Sequence, residues 1–212
     1  MTPAQFRKRL EQLREVIARG SACWAISKKL RYREEGKVSW SLEEQNKILG
    51  EFQGFFTPVA LAVLDMAFLE LNKVFDTDSK AASLWNLLGS ARRDTSLVPG
   101  RTSAEVNAVR RQFRQSERIL KVVKRRRDQQ LAHMDANPAP VDPLLVKEFD
   151  RLLEEVRSAF IWLSTAHYGR PVSWEWLIPE VEADTSRVMG ALLEELNRRH
   201  AVQRGIAERS RS

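Results

Sequence analysis

The sequence has a single cysteine, Cys23, among its 212 residues. One thiol excludes an internal disulfide framework and gives no cysteine pair for a zinc site, so a reducing, cytoplasmic environment is expected. The start of the chain lacks the apolar core of a signal peptide. No uninterrupted apolar run approaches the length of about eighteen residues that a membrane helix needs, so no membrane partner is expected.

Histidine is also scarce. The three histidines, His133, His167 and His200, are too dispersed to suggest a metal site by their spacing. There is no serine nucleophile elbow and no glycine-rich phosphate loop. The sequence therefore predicts no metal and no cofactor. If the protein is an enzyme, the remaining mechanism is acid-base catalysis by histidine, assisted by arginine.

Sustained alternation of polar and apolar residues is absent, whereas apolar residues recur every three to four positions, which predicts an all-α helical bundle. The expected helices run from Thr2-Pro3 to Gly20, from Ser41, from Pro58 to Phe75, from a cap at residues 76–79 through Ala81 to Leu88, from Thr102 to about Met134, from Pro143 to near Gly169, and from Pro179 to about His200. The segment 21–40 is expected to be irregular. We predict one domain over residues 1–203 and a disordered basic tail over 204–212.

Positive charge is in excess. The chain has 35 Lys and Arg against 28 Asp and Glu, a net charge of +7, and 25 of the basic residues are arginine. Arginine makes forked contacts with phosphate that lysine cannot make, which favours a nucleic-acid partner. A genome rich in arginine codons explains the same bias about as well.

The helix predicted after Thr102 is the most basic part of the chain. Between Arg110 and Arg127 there are nine basic residues and one acid, Glu117. Like charges at this density destabilise an isolated helix, so we infer a polyanion that relieves them. The residues predicted to bind nucleic acid are Arg110, Arg114, Arg118, Lys121, Lys124, Arg125 and Arg126. The alternative is a solvated face on a helical interaction protein.

The apolar stripe of the same helix ends in a cation. The residues at helical spacing are Val106, Val109, Phe113, Ser116, Leu120 and Val123. Arg127 follows four residues later, on the face that should be packing. Either the helix end has reached solvent, or Arg127 pairs with a buried carboxylate, or the cation is presented to a second helix.

The segment Arg127–His133 reads RDQQLAH. With its basic helix, it resembles the motif of the HEPN domains, specifically the abortive-infection AbiU-type branch. The stretch from Phe55-Phe56-Thr57-Pro58 to Ser83-Leu84-Trp85-Asn86 is also similar to that family. The resemblance covers roughly residues 50–160, and it implies a HEPN-like bundle with extra helices at both ends.

The resemblance further implies a metal-independent endoribonuclease, usually a homodimer in which the motifs of two chains meet. The 2′-hydroxyl of RNA is an internal nucleophile, so the enzyme needs proton transfer and charge stabilisation. Arg127 is then expected to bind phosphate and the transition state, His133 to act as general base or acid, and Asp128 to orient one of them.

The same resemblance suggests a toxin or phage-defence effector that a regulatory protein such as an antitoxin restrains. Some HEPN toxins carry a tyrosine two positions after the histidine, where an antitoxin modifies them. This sequence has Asp135 there, which puts that control mechanism in doubt. The alternative function is a non-catalytic HEPN-like module that binds RNA or a protein.

Overall fold

A computed structural model describes residues 1–31, 41–113, 116–128, 145–170 and 177–209. These residues form eight α-helices and a short 3-10 turn, Thr95–Leu97, with no β-strand among them. The helices are α1 (Pro3–Arg31), α2 (Leu42–Glu51), α3 (Gln53–Val74), α4 (Leu84–Arg93), α5 (Ser103–Gln112), α6 (Glu117–Arg126), α7 (Val146–Tyr168) and α8 (Leu177–Arg209). The predicted all-α class is confirmed.

The chain forms two compact units. The first combines Met1–Ser21 with Asp65–Trp174, and the second combines Ala22–Leu64 with Glu175–Ser212. In the first unit α4 packs on α5 and α6 on α7, around fully buried rings that include Phe6, Phe113, Phe149 and Phe160. The core of the second unit consists of Leu30, Ile48, Phe56, Ala60, Met189 and Leu196. The single domain over residues 1–203 stays a prediction.

Gly20 does not end the first helix, as the sequence pattern predicted, because α1 continues to Arg31. A methyl group at Gly20 would lie 3.2 Å from the Glu70 Cβ, so the glycine lets α1 and α3 approach closely. Glu70 itself is buried and pairs with Arg19 and Lys73. The glycine is therefore a packing residue, and its cost in helix propensity is offset by this contact.

The helix expected from Thr102 to about Met134 is also not continuous. Its first part, α5, ends at Gln112, and α6 begins at Glu117. At the start of α6, Ser116 is buried and donates from its hydroxyl to Glu155 on α7 at 2.6 Å. Phe113 is fully buried against Phe75 and Trp85. These tertiary contacts anchor the two sides of the break, which periodicity alone does not reveal.

α3 is the apolar helix predicted after Pro58, although it begins earlier, at Gln53, with Pro58 inside it. Among the described helices it alone is long and apolar enough to cross a membrane by length and composition. The expectation that no segment reaches that length needs this correction. The two acids of α3, Asp65 and Glu70, have cationic partners within the first unit, as in a core helix.

The start of α4 differs from the prediction, because the helix begins at Leu84 with Ser83 as its cap and not at residues 76–79. Other predicted helix ends are confirmed. Ser41 with Glu44 and Thr102 with Glu105 form the expected capping boxes at the starts of α2 and α5. α7 ends at Gly169, which has a φ of +67° that favours glycine. α8 continues to Arg209, inside the segment 204–212 predicted as a disordered tail, and that prediction remains untested.

Candidate functional site

Three residues on one face of α3 hold the C-terminal part of α6. Asp65, Phe68 and Asn72 are spaced three and four residues apart, so they project from the same side of the helix. Asn72 is buried and donates from Nδ2 to the backbone carbonyl of Val123 at 3.0 Å. A polar seam between α3 and α6 thereby fixes the position of the helix end that carries Arg127.

Arg126 belongs to this seam. Its Nη2 lies 3.4 Å from the Asp65 Oδ1, and its guanidinium lies over the Phe68 ring at 4.6 Å from the centroid. The ion pair is about two-thirds shielded from solvent. Arg126 was predicted as a nucleic-acid contact, but its guanidinium is held against α3, which makes packing its evident role.

The backbone changes at Arg127. Its φ of −58° and ψ of −52° are helical, and its N–H bonds to the carbonyls of both Val123 and Lys124. The Val123 carbonyl also accepts from Asn72. The helix widens into a π-type turn at Arg127 and Asp128, a departure from α-geometry that occurs often at functional sites.

Arg127 and Asp128 form an ion pair within this turn. The Arg127 Nε donates to the Asp128 Oδ1 at 2.7 Å, and the Nη2 contacts the same oxygen. The side chains are 32% and 39% exposed, so the pair is accessible at the end of α6. Asp128 lies at the edge of the guanidinium formed by Nε and Nη2. The other edge, formed by Nη1 and Nη2, offers two parallel N–H donors, which suit the oxygens of a phosphate.

Arg126 and Arg127 both follow the buried face of α6 by four residues, and their side chains are 29% and 32% exposed. The buried face of α6 consists of Ile119, Val122 and Val123. Arg126, four residues after Val122, continues that face and reaches α3. Arg127, four residues after the buried Val123, pairs with its neighbour Asp128. Asp128 is 39% exposed, so it is not the buried carboxylate that the sequence offered as an alternative.

The other predicted nucleic-acid contacts fall into distinct settings. Lys121 pairs with Glu117 at 2.9 Å, and Arg118 pairs with Glu148 on α7. Lys124 and Arg125 are exposed on α6. Arg110 lies at the end of α5, beside Trp85. Arg114 and the predicted catalytic residue His133 lie outside the described residues.

Asp65 and Asn72 are the site residues that the sequence analysis missed. A signal was present, since both interrupt an otherwise apolar helix, and they fall seven residues apart, which is two helical turns. A polar residue on such a helix needs a partner when it is buried. The partner is not deducible without knowing which helix packs there.

His167 has a structural setting. Its Nδ1 lies 2.7 Å from the Leu97 carbonyl, and its ring contacts Phe6. In the part of the chain that the structure describes, no three His, Cys, Asp or Glu side chains are grouped as around a metal ion. The expectations of no metal and no cofactor stay predictions.

An all-α chain whose basic helix ends in an Arg–Asp pair, six residues before a histidine, has the features of the HEPN class. A family model described as AbiU2, within that class, matches residues 3–188. The chain therefore belongs to the AbiU2 family of HEPN proteins, and this membership places it among the abortive-infection HEPN-like proteins. The match extends on both sides of residues 50–160, where the resemblance was recognised. No curated protein and no solved structure matches the chain.

Proposed function

We propose that this chain is a metal-independent endoribonuclease that cleaves RNA by acid-base catalysis at Arg127, Asp128 and His133. The observation that carries the proposal is the Arg127–Asp128 pair, an accessible guanidinium held by a carboxylate at the end of a basic helix. Membership of the AbiU2 family supports it. These residues supply the fixed cation and the titratable group that acid-base cleavage of RNA needs.

The reaction uses a nucleophile that RNA already contains. His133 of the proposed site removes the proton of a 2′-hydroxyl, and the 2′-oxygen attacks the adjacent phosphorus. The bond from phosphorus to the 5′-oxygen breaks, and that oxygen takes up the proton that His133 has accepted. The products are a 2′,3′-cyclic phosphate and a 5′-hydroxyl end, so neither a metal nor an activated water is required.

Arg127 supplies the fixed positive charge. During the attack, charge builds up on the nonbridging phosphate oxygens, and a guanidinium placed beside them stabilises it through two parallel hydrogen bonds. Asp128 fixes the orientation of the guanidinium by accepting from its Nε at 2.7 Å. Asn72 acts one step further away, because it holds the Val123 carbonyl to which the Arg127 N–H also bonds.

The active form that we propose is a homodimer. In the HEPN class the motifs of two chains usually meet at one composite site, which supports this dimer. A two-fold axis can bring Arg127 of one chain to His133 of the other. Membership of the AbiU2 family supports the proposed cellular role, a toxin or phage-defence effector restrained by a partner protein. The single cysteine supports the proposed cytoplasmic location.

The decisive experiment incubates purified protein with mixed RNAs in EDTA. We expect cleavage by the parent chain and loss of at least about a hundredfold in rate for Arg127→Ala and His133→Ala. Arg187→Ala is the control, since it removes an exposed arginine of α8 that is not among the predicted RNA contacts and should retain most of the activity. Circular dichroism checks that each variant keeps its helices.

Undiminished cleavage by both Arg127→Ala and His133→Ala would refute this mechanism. Cleavage that EDTA abolishes and added metal restores would refute metal independence. Salt-sensitive RNA binding without cleaved ends would favour the alternative function, a non-catalytic RNA-binding module. No RNA binding at low salt would point to a protein-interaction module.

A further inference from the structure

Three arginines converge on one cavity in the first unit. Arg92 and Arg93 lie in the last turn of α4, and Arg110 lies in the last turn of α5. All three line a cavity of about 370 Å³, together with the indole of Trp85. We call this cavity the arginine pocket. Neither Arg92 nor Arg93 was singled out by the sequence.

The charge of the arginine pocket is not neutralised by nearby acids. Among the described residues, none of the three arginines forms an ion pair with a carboxylate, and the Arg110 Nε is buried without a hydrogen-bond partner. The Asp78 carboxylate caps the Lys80 N–H, and the Asp94 carboxylate accepts from Ser96. Burial, and then the charges of Arg92 and Arg93, lower the pKa of the Arg110 guanidinium.

Helix dipoles do not account for this arrangement. A cation in the last turn of a helix is favoured by the helix dipole, which explains a basic residue at the end of α4 or of α5 taken alone. It does not explain why the two ends converge, since cations placed together without an anion repel one another. Three guanidinium groups around one cavity are the donor set of a phosphate site.

The position of Trp85 indicates what carries the phosphate. Its ring is fixed by edge contacts to Phe75 and Phe113, each at 5.7 Å between centroids, and the Arg110 guanidinium lies over it at 5.4 Å. Trp85 also lines a second cavity, of about 170 Å³, together with Lys121 and Lys124 of α6. The same ring thus lines both cavities, and the second one is bordered by Lys121 and Lys124, with Glu117, of α6. A path of this kind suits a polymer rather than a free nucleotide.

We propose that Arg92, Arg93 and Arg110 bind an internal phosphodiester of a single-stranded RNA, which passes Trp85 towards the end of α6. The assignment rests on the proposed function for the identity of the polymer. The shared chemistry, a phosphate, could also come from a strand end or from a mononucleotide. An internal phosphodiester is favoured because the cations continue along α6.

The test measures RNA affinity in the full chain carrying His133→Ala, which prevents cleavage during the measurement. The probe is a labelled RNA dodecamer with a 5′-hydroxyl, titrated at several salt concentrations. Arg110→Gln should weaken binding about tenfold and reduce the slope of log affinity against log salt by about 0.7. Arg111→Gln is the matched control, since this exposed neighbour on α5 is not part of the arginine pocket. It should change the affinity less than about threefold.

Two further measurements identify the source of the phosphate, and a second variant replaces Arg110→Gln if that variant does not fold. A 5′-phosphorylated dodecamer should bind no more tightly than the hydroxyl form, and AMP should not compete at equal phosphate concentration. Arg92→Gln combined with Arg93→Gln removes two exposed charges, and this double variant should repeat the loss if Arg110→Gln fails to fold. Circular dichroism establishes which variants are folded.

Equal losses of RNA affinity in Arg110→Gln and Arg111→Gln would refute the arginine pocket as a binding site. They would show that the RNA responds only to the overall positive charge of the surface. Dependence on Arg110 that is confined to the 5′-phosphorylated strand or to AMP would overturn the internal phosphodiester. If the parent chain cleaves RNA but Arg110→Gln does not change the RNA affinity, only the proposed role of the arginine pocket is refuted. If binding depends on Arg110 but the parent chain cleaves nothing, only the proposed reaction fails.

Discussion

The Asn72 Nδ2 on α3 donates to the backbone carbonyl of Val123 on α6 at 3.0 Å. That carbonyl also accepts the N–H of Arg127. One buried side chain is thus linked, through a single carbonyl oxygen, to the residue that we place at the centre of the site. Loss of this hydrogen bond should therefore lower the stability of the contact between α3 and α6 and also shift the position of Arg127.

Replacing Asn72 should therefore affect both. Asn72→Ala removes the donor but leaves the Val123 carbonyl bonded to Arg127, so we expect a loss of about 1 kcal/mol in the free energy of unfolding. Asn72→Asp places a carboxylate against a carbonyl oxygen and should cost more, about 1–3 kcal/mol. Urea denaturation followed by circular dichroism measures both. If both variants were as stable as the parent chain, that result would contradict the hydrogen bond.

Arg126 and Arg125 provide a matched pair of neighbouring cations. Arg126→Gln loses the Asp65 contact and the stacking on Phe68, so it should lower the free energy of unfolding by about 1 kcal/mol. Arg125→Gln removes the same charge from an exposed position and should change it by less than half as much. A double-mutant cycle of Arg126 with Asp65 measures the coupling, and a coupling of zero would refute the seam.

The all-α class and most helix starts could be predicted from the sequence, because they depend on local patterns. The pairing of Thr102 with Glu105 is one such pattern, since four consecutive residues determine it. The passage of α1 through Gly20 and the break before Ser116 could not be predicted in this way. Each depends on a residue far along the chain, Glu70 in the first case and Glu155 in the second.

The same division holds for the candidate site. Arg127 and Asp128 could be identified because their motif is contiguous, and the structure places them in contact. Which of the two cations Arg126 and Arg127 faces α3 depends on the rotation of α6. That rotation is fixed by Asp65 and Asn72, more than fifty residues upstream.

Gly20 offers a test of the close packing between α1 and α3. Because an added methyl group would lie 3.2 Å from the Glu70 Cβ, Gly20→Leu should lower the free energy of unfolding by about 1–3 kcal/mol. Gly190→Ala on α8 is the control, since beyond its chain neighbours and the nearby backbone of its own helix no described atom lies within 4 Å of the added methyl. That control should stabilise by about 0.5–1 kcal/mol. A Gly20→Leu variant as stable as the parent would show that the contact is loose.

The proposed homodimer makes a prediction about complementation. Sedimentation should give about twice the chain mass of 24.4 kDa. If Arg127 of one chain works with His133 of the other, co-expressed Arg127→Ala and His133→Ala chains form mixed dimers with one intact site. Such a preparation should recover about a quarter of the parent cleavage rate. Recovery no greater than the background of either variant alone would exclude the cross-chain site.

The capping box at the start of α5 predicts how stability responds to acid. Hydrogen bonds from the backbone N–H of Thr102, and then from its hydroxyl, hold the pKa of Glu105 below its ordinary value of 4.5. Because the folded pKa is the lower one, the stabilisation is fully present above the ordinary value and is lost as the pH falls through the folded value. Glu105→Gln keeps a side-chain acceptor for the box but does not titrate. Its free energy of unfolding should therefore fall less than that of the parent chain as the pH is lowered from 6 to about 3. Parallel pH profiles for the two proteins, measured by urea denaturation, would mean that Glu105 has no lowered pKa in solution.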